Sequence, residues 1–390
     1  MFVDKNRNRE LALRLWEGKP SGQLLWMEDL NWANFTRIAQ DAGHEDAVAY
    51  GMAELGCLFP IVPVTSVEIS NPSVETTRRA TDGDETIEHR SSAGTLTERQ
   101  RKGQIIKNQF ESVADLQVLV EMWRHLEVRQ APELYSDVIP EDASAPGKSA
   151  SKPVIDPLDW RRVRARYAPQ VPVALQSKYS SAIQYLMQHV TGVEHFYYLL
   201  ADNPTLVEDA MAAWQAMLEK QYRVMASLGV PRFYQSENTS TAMISPEYFK
   251  RYSMGHLQQL TAAARQAGAR TITHMCGHLR DLLPLIAQTG VNGIHMVTPA
   301  PLGNTAYEDV FRAIPAGFTV LGCFGSLDWI GKTSSQLLEN LRRVLPHHLY
   351  KERAFALIVT SDRAPFTRAD LERVRDAITA YERQGNEAKT

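Results

Sequence analysis

The stretch Arg270-Thr-Ile-Thr-His-Met-Cys-Gly-His278 joins a β-branched run to an imidazole, a thiol and a glycine. β-Branched residues favour extended backbone, and on a strand side chains two positions apart share a face. His274 and Cys276 are therefore expected to converge at the downstream end of a strand. Gly277 interrupts the run, and Leu279–Thr289 resumes with helical spacing, giving a strand, a loop and a helix in succession. Imidazole nitrogen and thiolate sulfur are good zinc ligands, because that ion takes a near-tetrahedral shell of such donors. A core histidine beside a half-buried cysteine is spelled the same way, so the rest of the chain has to decide.

Outward from this stretch the same rhythm repeats. Buried-type strands are read at Leu24–Met27, Cys57–Val64, Val171–Gln176, Arg232–Ser236, Asn292–Val297, Phe318–Cys323 and Phe355–Thr360, most of them followed by a helical pattern. With 270–274 these make eight strands. Strands alternating with helices imply a parallel sheet, and eight imply closure into a (β/α)8 TIM barrel, one domain over residues 1–390. An open doubly wound sheet is the alternative, but no Gly-rich phosphate fingerprint supports it. Residues 66–108 break the rhythm with strand-like alternation around an Asp82-Gly83 turn, and read as an antiparallel hairpin excursion able to cover a pocket. Residues 137–156, rich in Ser, Ala, Pro and Lys, read as a mobile surface loop. Helix starts are expected at Ser112, with Asp115 three residues on, and at Ser245 before Pro246.

Composition narrows the function classes. The 390 residues are 44% hydrophobic with a net charge of -3, so the chain can bury a large core and offers no basic field for nucleic acid. No run approaches the ~20 apolar residues of a membrane span, and the N-terminus lacks the apolar core of a signal peptide. Three cysteines, Cys57, Cys276 and Cys323, point to a reducing, cytoplasmic setting rather than a disulfide framework.

In barrels of this kind chemistry sits at the carboxyl ends of the strands. That rim is expected to carry Glu28 and Asp29, Lys178 and Tyr179, Glu237 and Asn238, His274 and Cys276, Thr298, Cys323, and Ser361 with Asp362. Four of these are candidate zinc ligands: Glu237, His274, Cys276 and Cys323. Cys323, between Gly322 and Phe324, has packing as its other reading, and Glu237 has general-acid work or substrate hydrogen bonding. His278 is read as supporting a ligand or as a surface histidine, His295 as a core imidazole, and Arg161–Arg166 as a solvated helix face. Met27, Tyr179, Tyr234, Asn238, His278 and Asp362 are the expected substrate contacts, and Trp26, Trp32 and Phe324 add aromatic surface near the rim.

The chain resembles the uroporphyrinogen decarboxylase superfamily. The resemblance runs from Leu24 to the last helix. It rests on Thr95-Leu-Thr-Glu98, Ser112-Val-Ala-Asp-Leu116, Ile244-Ser-Pro-Glu-Tyr-Phe249, His274-Met-Cys-Gly277 and Pro365-Phe-Thr-Arg-Ala-Asp-Leu371. That family is a (β/α)8 barrel. Its true decarboxylases carry an N-terminal arginine segment that grips substrate carboxylates, whereas the matching strand here, Leu25-Trp-Met-Glu-Asp-Leu-Asn31, has none. The His-x-Cys element instead resembles the zinc-dependent methyltransferase branch, which exchanges methyl groups with a corrinoid (cobalamin) carried on a partner protein. Thiol-methylating members close the zinc shell with a cysteine at the last strand, where this chain has Ser361; Cys323 or Glu237 would then complete it. The resemblance thus implies a zinc-dependent, corrinoid-linked methyltransferase, with catalytic Glu237 and His274, acting on a small methylated donor. An O-methyl donor of the O-demethylase kind is favoured, and family members are often homodimers. The alternatives are a cofactor-free decarboxylase of the same fold and a non-catalytic barrel that binds a tetrapyrrole or corrinoid.

Overall fold

The structure, a computed structural model, describes all residues except 1–4, 30–31, 45–49, 58–61, 82, 102–103, 108, 137–156, 159–171, 315, 363 and 388–390. The expected loop at 137–156, Arg161–Arg166 and Asp82 of the hairpin turn lie outside the described residues, as do the side chains of Met27, Glu28, Asp29 and Trp32.

In chain order the strands are β1 (Leu25–Asp29), β2 (Val62–Ser70), β3 (Glu75–Thr81), β4 (Asp84–Ser91), β5 (Gly94–Arg101), β6 (Gln104–Lys107), β7 (Glu127–Ser136) and β8 (Pro157–Leu158). They continue as β9 (Val173–Gln176), β10 (Arg232–Ser236), β11 (Arg270–His274), β12 (Gly293–Val297), β13 (Thr319–Phe324) and β14 (Ala354–Thr360). The main sheet runs in the order β1-β14-β13-β12-β11-β10-β9-β2-β7-β8. Every ladder from β1 round to β2 is parallel. All eight strands read from the sequence are therefore present in a single parallel arc. Among the described residues no ladder joins β1 to β2, so the arc is not a closed ring.

The excursion differs from its expected bounds. Val67–Ser70 belongs to β2, which runs past the barrel rim and pairs antiparallel with β7, a strand the sequence reading passed over. The remainder forms a separate antiparallel sheet in the order β3-β4-β5-β6.

Alternation along the strands sorts the core into two layers. On β14, Ala354, Ala356 and Ile358 join the interior cluster, whereas Phe355, Leu357 and Val359 pack under the helices. Such a strand, buried on both faces, reads as a continuous apolar run, which is why Phe355–Thr360 stood out. Small alanines face the narrow interior and bulky side chains fill the wider outer layer. The helix Lys5–Trp16 adds Leu11, Ala12, Leu15 and Trp16 to the interior cluster, and the Leu15 carbonyl accepts from the Thr319 hydroxyl at the start of β13. It therefore plugs the amino end of the sheet and leaves the carboxyl end for chemistry.

Helix starts follow the sequence closely. Ser112 caps Val113–Arg124 through a full capping box with Asp115, and Ser245 accepts from the Tyr248 amide with Pro246 in the first turn. The helix expected over Leu279–Thr289 is instead a short 3-10 turn, Arg280–Leu282, leading into Leu283–Ile286. The loop ahead is occupied with tying strand ends together. No helix of the described residues is long and apolar enough to cross a membrane.

Candidate active site

Strand alternation on β10 decides which residues face which layer. Tyr234 enters the interior cluster while Phe233 joins the outer one, so Glu237 falls in register with the outward positions. Its carboxylate is fully buried there. Oε1 accepts from the Ser181 hydroxyl at 2.5 Å and Oε2 from the Ser181 amide at 3.0 Å. Thr239 Oγ1 adds a bond at 3.4 Å, and His256 Nε2 lies 3.8 Å from Oε2. Burial outweighs these donors and pushes the Glu237 carboxyl up to about 7. Burial also presses His256 down to about 3, so at neutral pH it brings no positive charge to the pair.

The backbone beside Glu237 ties two strands together. The Glu237 and Asn238 amides both donate to the His274 carbonyl, at 3.1 and 2.8 Å. Asn238 holds a left-handed conformation (φ 51), one that asparagine tolerates better than most residues. Its Oδ1 accepts from the Cys276 thiol at 3.1 Å.

On β11, Ile272 is interior, and His274 shares its parity. His274 Nδ1 lies 2.8 Å from His295 Nδ1, which in turn lies 3.0 Å from the Tyr234 hydroxyl. A phenol and two imidazoles thus form a hydrogen-bonded row across β10, β11 and β12. His295 is buried and pushed down to about 4, which keeps it neutral. A bulge between His295 and Val297, with Met296 at φ 79, lets successive side chains of β12 both reach the interior side.

The thiols stand close by. Cys323 on β13 is buried in the interior cluster, and Cys276 packs against that cluster. Burial pushes the Cys323 thiol up to about 12, helped by the charges of Asp362 and Asp328, while Thr298 works against them. Cys276 is raised by burial first and by Asp362 second. Asp362, after β14, is left-handed at φ 47, and its Oδ2 accepts from the Ser326 amide and hydroxyl at 3.1 and 3.0 Å. The loops after β11 and β12 interlock: the Gly277 amide donates to Thr298 Oγ1 at 3.2 Å, and Gly303 fits so tightly that a Cβ there would lie 2.1 Å from the Thr298 carbonyl oxygen. All three cysteines are free thiols.

The structure therefore joins Tyr234 to His274 through His295 and Asn238 to Cys276, packs Cys276 against the interior cluster that holds Tyr234 and Cys323, and sets the charge of Asp362 to act on both thiols. It groups Glu237 with Ser181, Thr239 and His256 instead. His278 has an exposed ring, and its main chain holds the turn: its amide donates to Ser240 Oγ and its carbonyl accepts from Thr241. Tyr179 lines a cavity further round the rim. The sequence reading undervalued His295 and passed over Ser181 and His256, because each acts through a partner far away in the chain, 21 residues for His295 and 56 for Ser181.

The donor set of His274, Cys276 and Cys323, one nitrogen and two sulfurs, fits zinc. Among the described residues, no three His, Cys, Asp or Glu side chains stand drawn together as a ready cluster, so these three would have to converge.

The family comparison agrees with the resemblance read from the sequence. Residues 161–353 match the family model described as uroporphyrinogen decarboxylase (URO-D). No curated protein matches the chain. Among solved structures, a methyltransferase from Methanosarcina mazei aligns at 17% identity with a TM-score of 0.44, covering 57% of this chain and 61% of the other. The chain thus spans less than two thirds of that relative. D-psicose 3-epimerase from Clostridium cellulolyticum H10 aligns at 9% identity with a TM-score of 0.34, covering 57% and 82%. Across residues 161–353, which hold β9 to β13 and the imidazole–thiol site, the chain carries the pattern of the uroporphyrinogen decarboxylase superfamily.

Proposed function

We propose that this protein is a zinc-dependent methyltransferase that moves a methyl group between a small methylated donor, an O-methyl compound by preference, and a corrinoid held by a partner protein. The observation that carries the reading is that His274 and Cys323 stand toward the carboxyl ends of β11 and β13, with Cys276 packed against the interior cluster that holds Cys323 and with His295 against His274.

His274, Cys276 and Cys323 would hold the metal. A neutral His295 with its Nδ1 lone pair free can accept from His274 Nδ1–H. That tautomer puts the His274 lone pair on Nε2, as a metal-ligating histidine needs. Both thiols must lose protons to ligate, and their raised values mean that neither does so readily without a cation. Zinc, when bound, supplies a Lewis acid that polarises the heteroatom of the methyl donor. Asn238 and Asp362 flank the site and are assigned to substrate contacts together with Met27, Tyr179, Tyr234 and His278. Glu237, held by Ser181, is assigned a positioning role through its backbone grip on His274 rather than a place in the shell. The chain contains no Asp-x-His-x-x-Gly corrinoid segment, so the cobalt cofactor arrives on a separate protein. We further propose that the arc closes into a full (β/α)8 barrel, that the enzyme works in the cytoplasm, and that it works as a homodimer.

Metal analysis joined to an assay tests the proposal. Purified protein is expected to hold about one zinc per chain, to lose it on His274→Ala, and to methylate reduced cobalamin from methoxylated donors. Zinc content unchanged by His274→Ala would remove the assignment. A zinc-loaded protein inert toward methoxyaromatics, methylamines and thiols would remove the methyl-transfer reading.

A further inference from the structure

A second concave site lies where the antiparallel sheet meets the β9 edge of the rim. It is a cavity of about 380 Å³, and it shares no candidate metal ligand with the imidazole–thiol site and only Tyr179 with the assigned substrate contacts. Trp123, Tyr179 and Tyr185 supply aromatic walls, and Lys178, His189 and Glu98 supply polar groups.

The rings are already organised. Tyr185 stacks on Trp214 at 3.7 Å and meets Tyr179 and Trp123 edge-on at 5.3 and 5.8 Å. Rings fixed edge-to-face leave room for one more ring and lose little entropy in receiving it. The volume suits a single-ring or bicyclic ligand and falls far short of a tetrapyrrole.

Charge selects the sign of the ligand. Lys178 titrates below the ordinary lysine value because its surroundings strip its hydration, with only Glu68 pulling the other way. Among the described residues no carboxylate forms an ion pair with it. Burial likewise lowers His189. Glu98 is engaged already, accepting from Gln100 at 2.6 Å and Gln109 at 3.3 Å. The Lys178 ammonium stands 5.7 Å from the Tyr179 ring centre and would repel a cation brought to that face. An anionic group beside Lys178 would supply a charge pairing that the described residues do not.

From this geometry we infer that the cavity binds a small planar aromatic monocarboxylate, with its ring among Trp123, Tyr179 and Tyr185 and its carboxylate on Lys178. Glu98 accepts from a hydroxyl or N–H on the far edge of the ring. Because Glu98 comes from β5 and Lys178 follows β9, the ligand bridges the antiparallel sheet to the barrel and braces one against the other. The inference stands apart from the methyl-transfer reading.

Calorimetry and tryptophan fluorescence on the full chain test it, with benzoate as probe and benzamide and benzylamine as neutral and cationic isosteres. Benzoate is expected to bind at least about tenfold tighter than either, and Lys178→Met to abolish that preference while leaving the melting temperature of the empty protein unchanged. His274→Ala, which strikes the zinc proposal, is expected to leave benzoate binding intact. Absence of saturable benzoate binding up to about 5 mM would overturn the inference. So would equal affinity for the three probes, or a benzoate preference that survives Lys178→Met.

Discussion

Replacing Glu237 by Gln keeps the shape of the side chain and an acceptor for Ser181 but takes away the proton. In the folded protein the Glu237 carboxyl titrates at about 7, against an ordinary 4.5, because burial outweighs the bonds from Ser181, Gln235 and Thr239. Between those values the folded chain holds a proton that the unfolded chain has released. Stability from this group is therefore present at pH 4.5 and is lost as pH rises toward 7. At about 1.4 kcal/mol per pH unit, the wild type forfeits up to about 3 kcal/mol at pH 8, and Glu237→Gln forfeits none of it. His256 and His295, pushed down to about 3 and 4, act in the opposite direction, stabilising the fold as pH rises through the ordinary histidine range. They would mask the effect in wild type alone, so the informative quantity is the difference between the two proteins. Urea unfolding of both at pH 5 and pH 8 measures it. The Gln variant should gain on wild type by about 2–3 kcal/mol between the two pH values. A gap between the two proteins that is the same at both pH values would show that Glu237 does not take up a proton on folding, and the account of its environment would fail.

Other outcomes follow from the interlocked rim. Gly303→Ala drives a Cβ to 2.1 Å from the Thr298 carbonyl oxygen and 2.5 Å from that of Gly277, both backbone atoms that cannot swing aside. A loss of about 2 kcal/mol or more is expected, read as a fall in melting temperature, and an unchanged melt would contradict the loop packing. In metal-free protein at pH 8, iodoacetamide should modify half-buried Cys276 well before Cys323, whose thiol is held at about 12. Peptide mapping by mass spectrometry follows the order, and faster labelling at Cys323 would be incompatible with its burial in the interior cluster.

The resemblance read from the sequence implies that Ser361 takes the place of a cysteine that would otherwise close a zinc shell, and the structure gives that position a setting. Ser361 is buried and its carbonyl accepts from the Ala364 amide, while the neighbouring Asp362 turns left-handed toward Ser326. The sulfur that remains within the interior is Cys323, one strand away on β13. Under the proposed function this arrangement is the reason for assigning Cys323 rather than Glu237 as the third ligand, an ordering the sequence left open.

The sequence by itself determined what depends on a few adjacent residues. Apolar runs marked the eight parallel strands, and Ser112 and Ser245 announced helix starts, because alternation and capping act within one turn or a few positions. The placing of His274 at the end of a strand was legible for the same reason. Tertiary structure alone decided the rest. It extended β2 onto β7, an edge pairing between segments about sixty residues apart. It used the first helix to plug the amino end of the parallel sheet. It set His295 behind His274 through the β11–β12 register, and it turned Glu237 toward Ser181, 56 residues earlier in the chain. A side chain's partner across such distances depends on register and on which layer the strand faces there, and neither is written in the neighbouring residues.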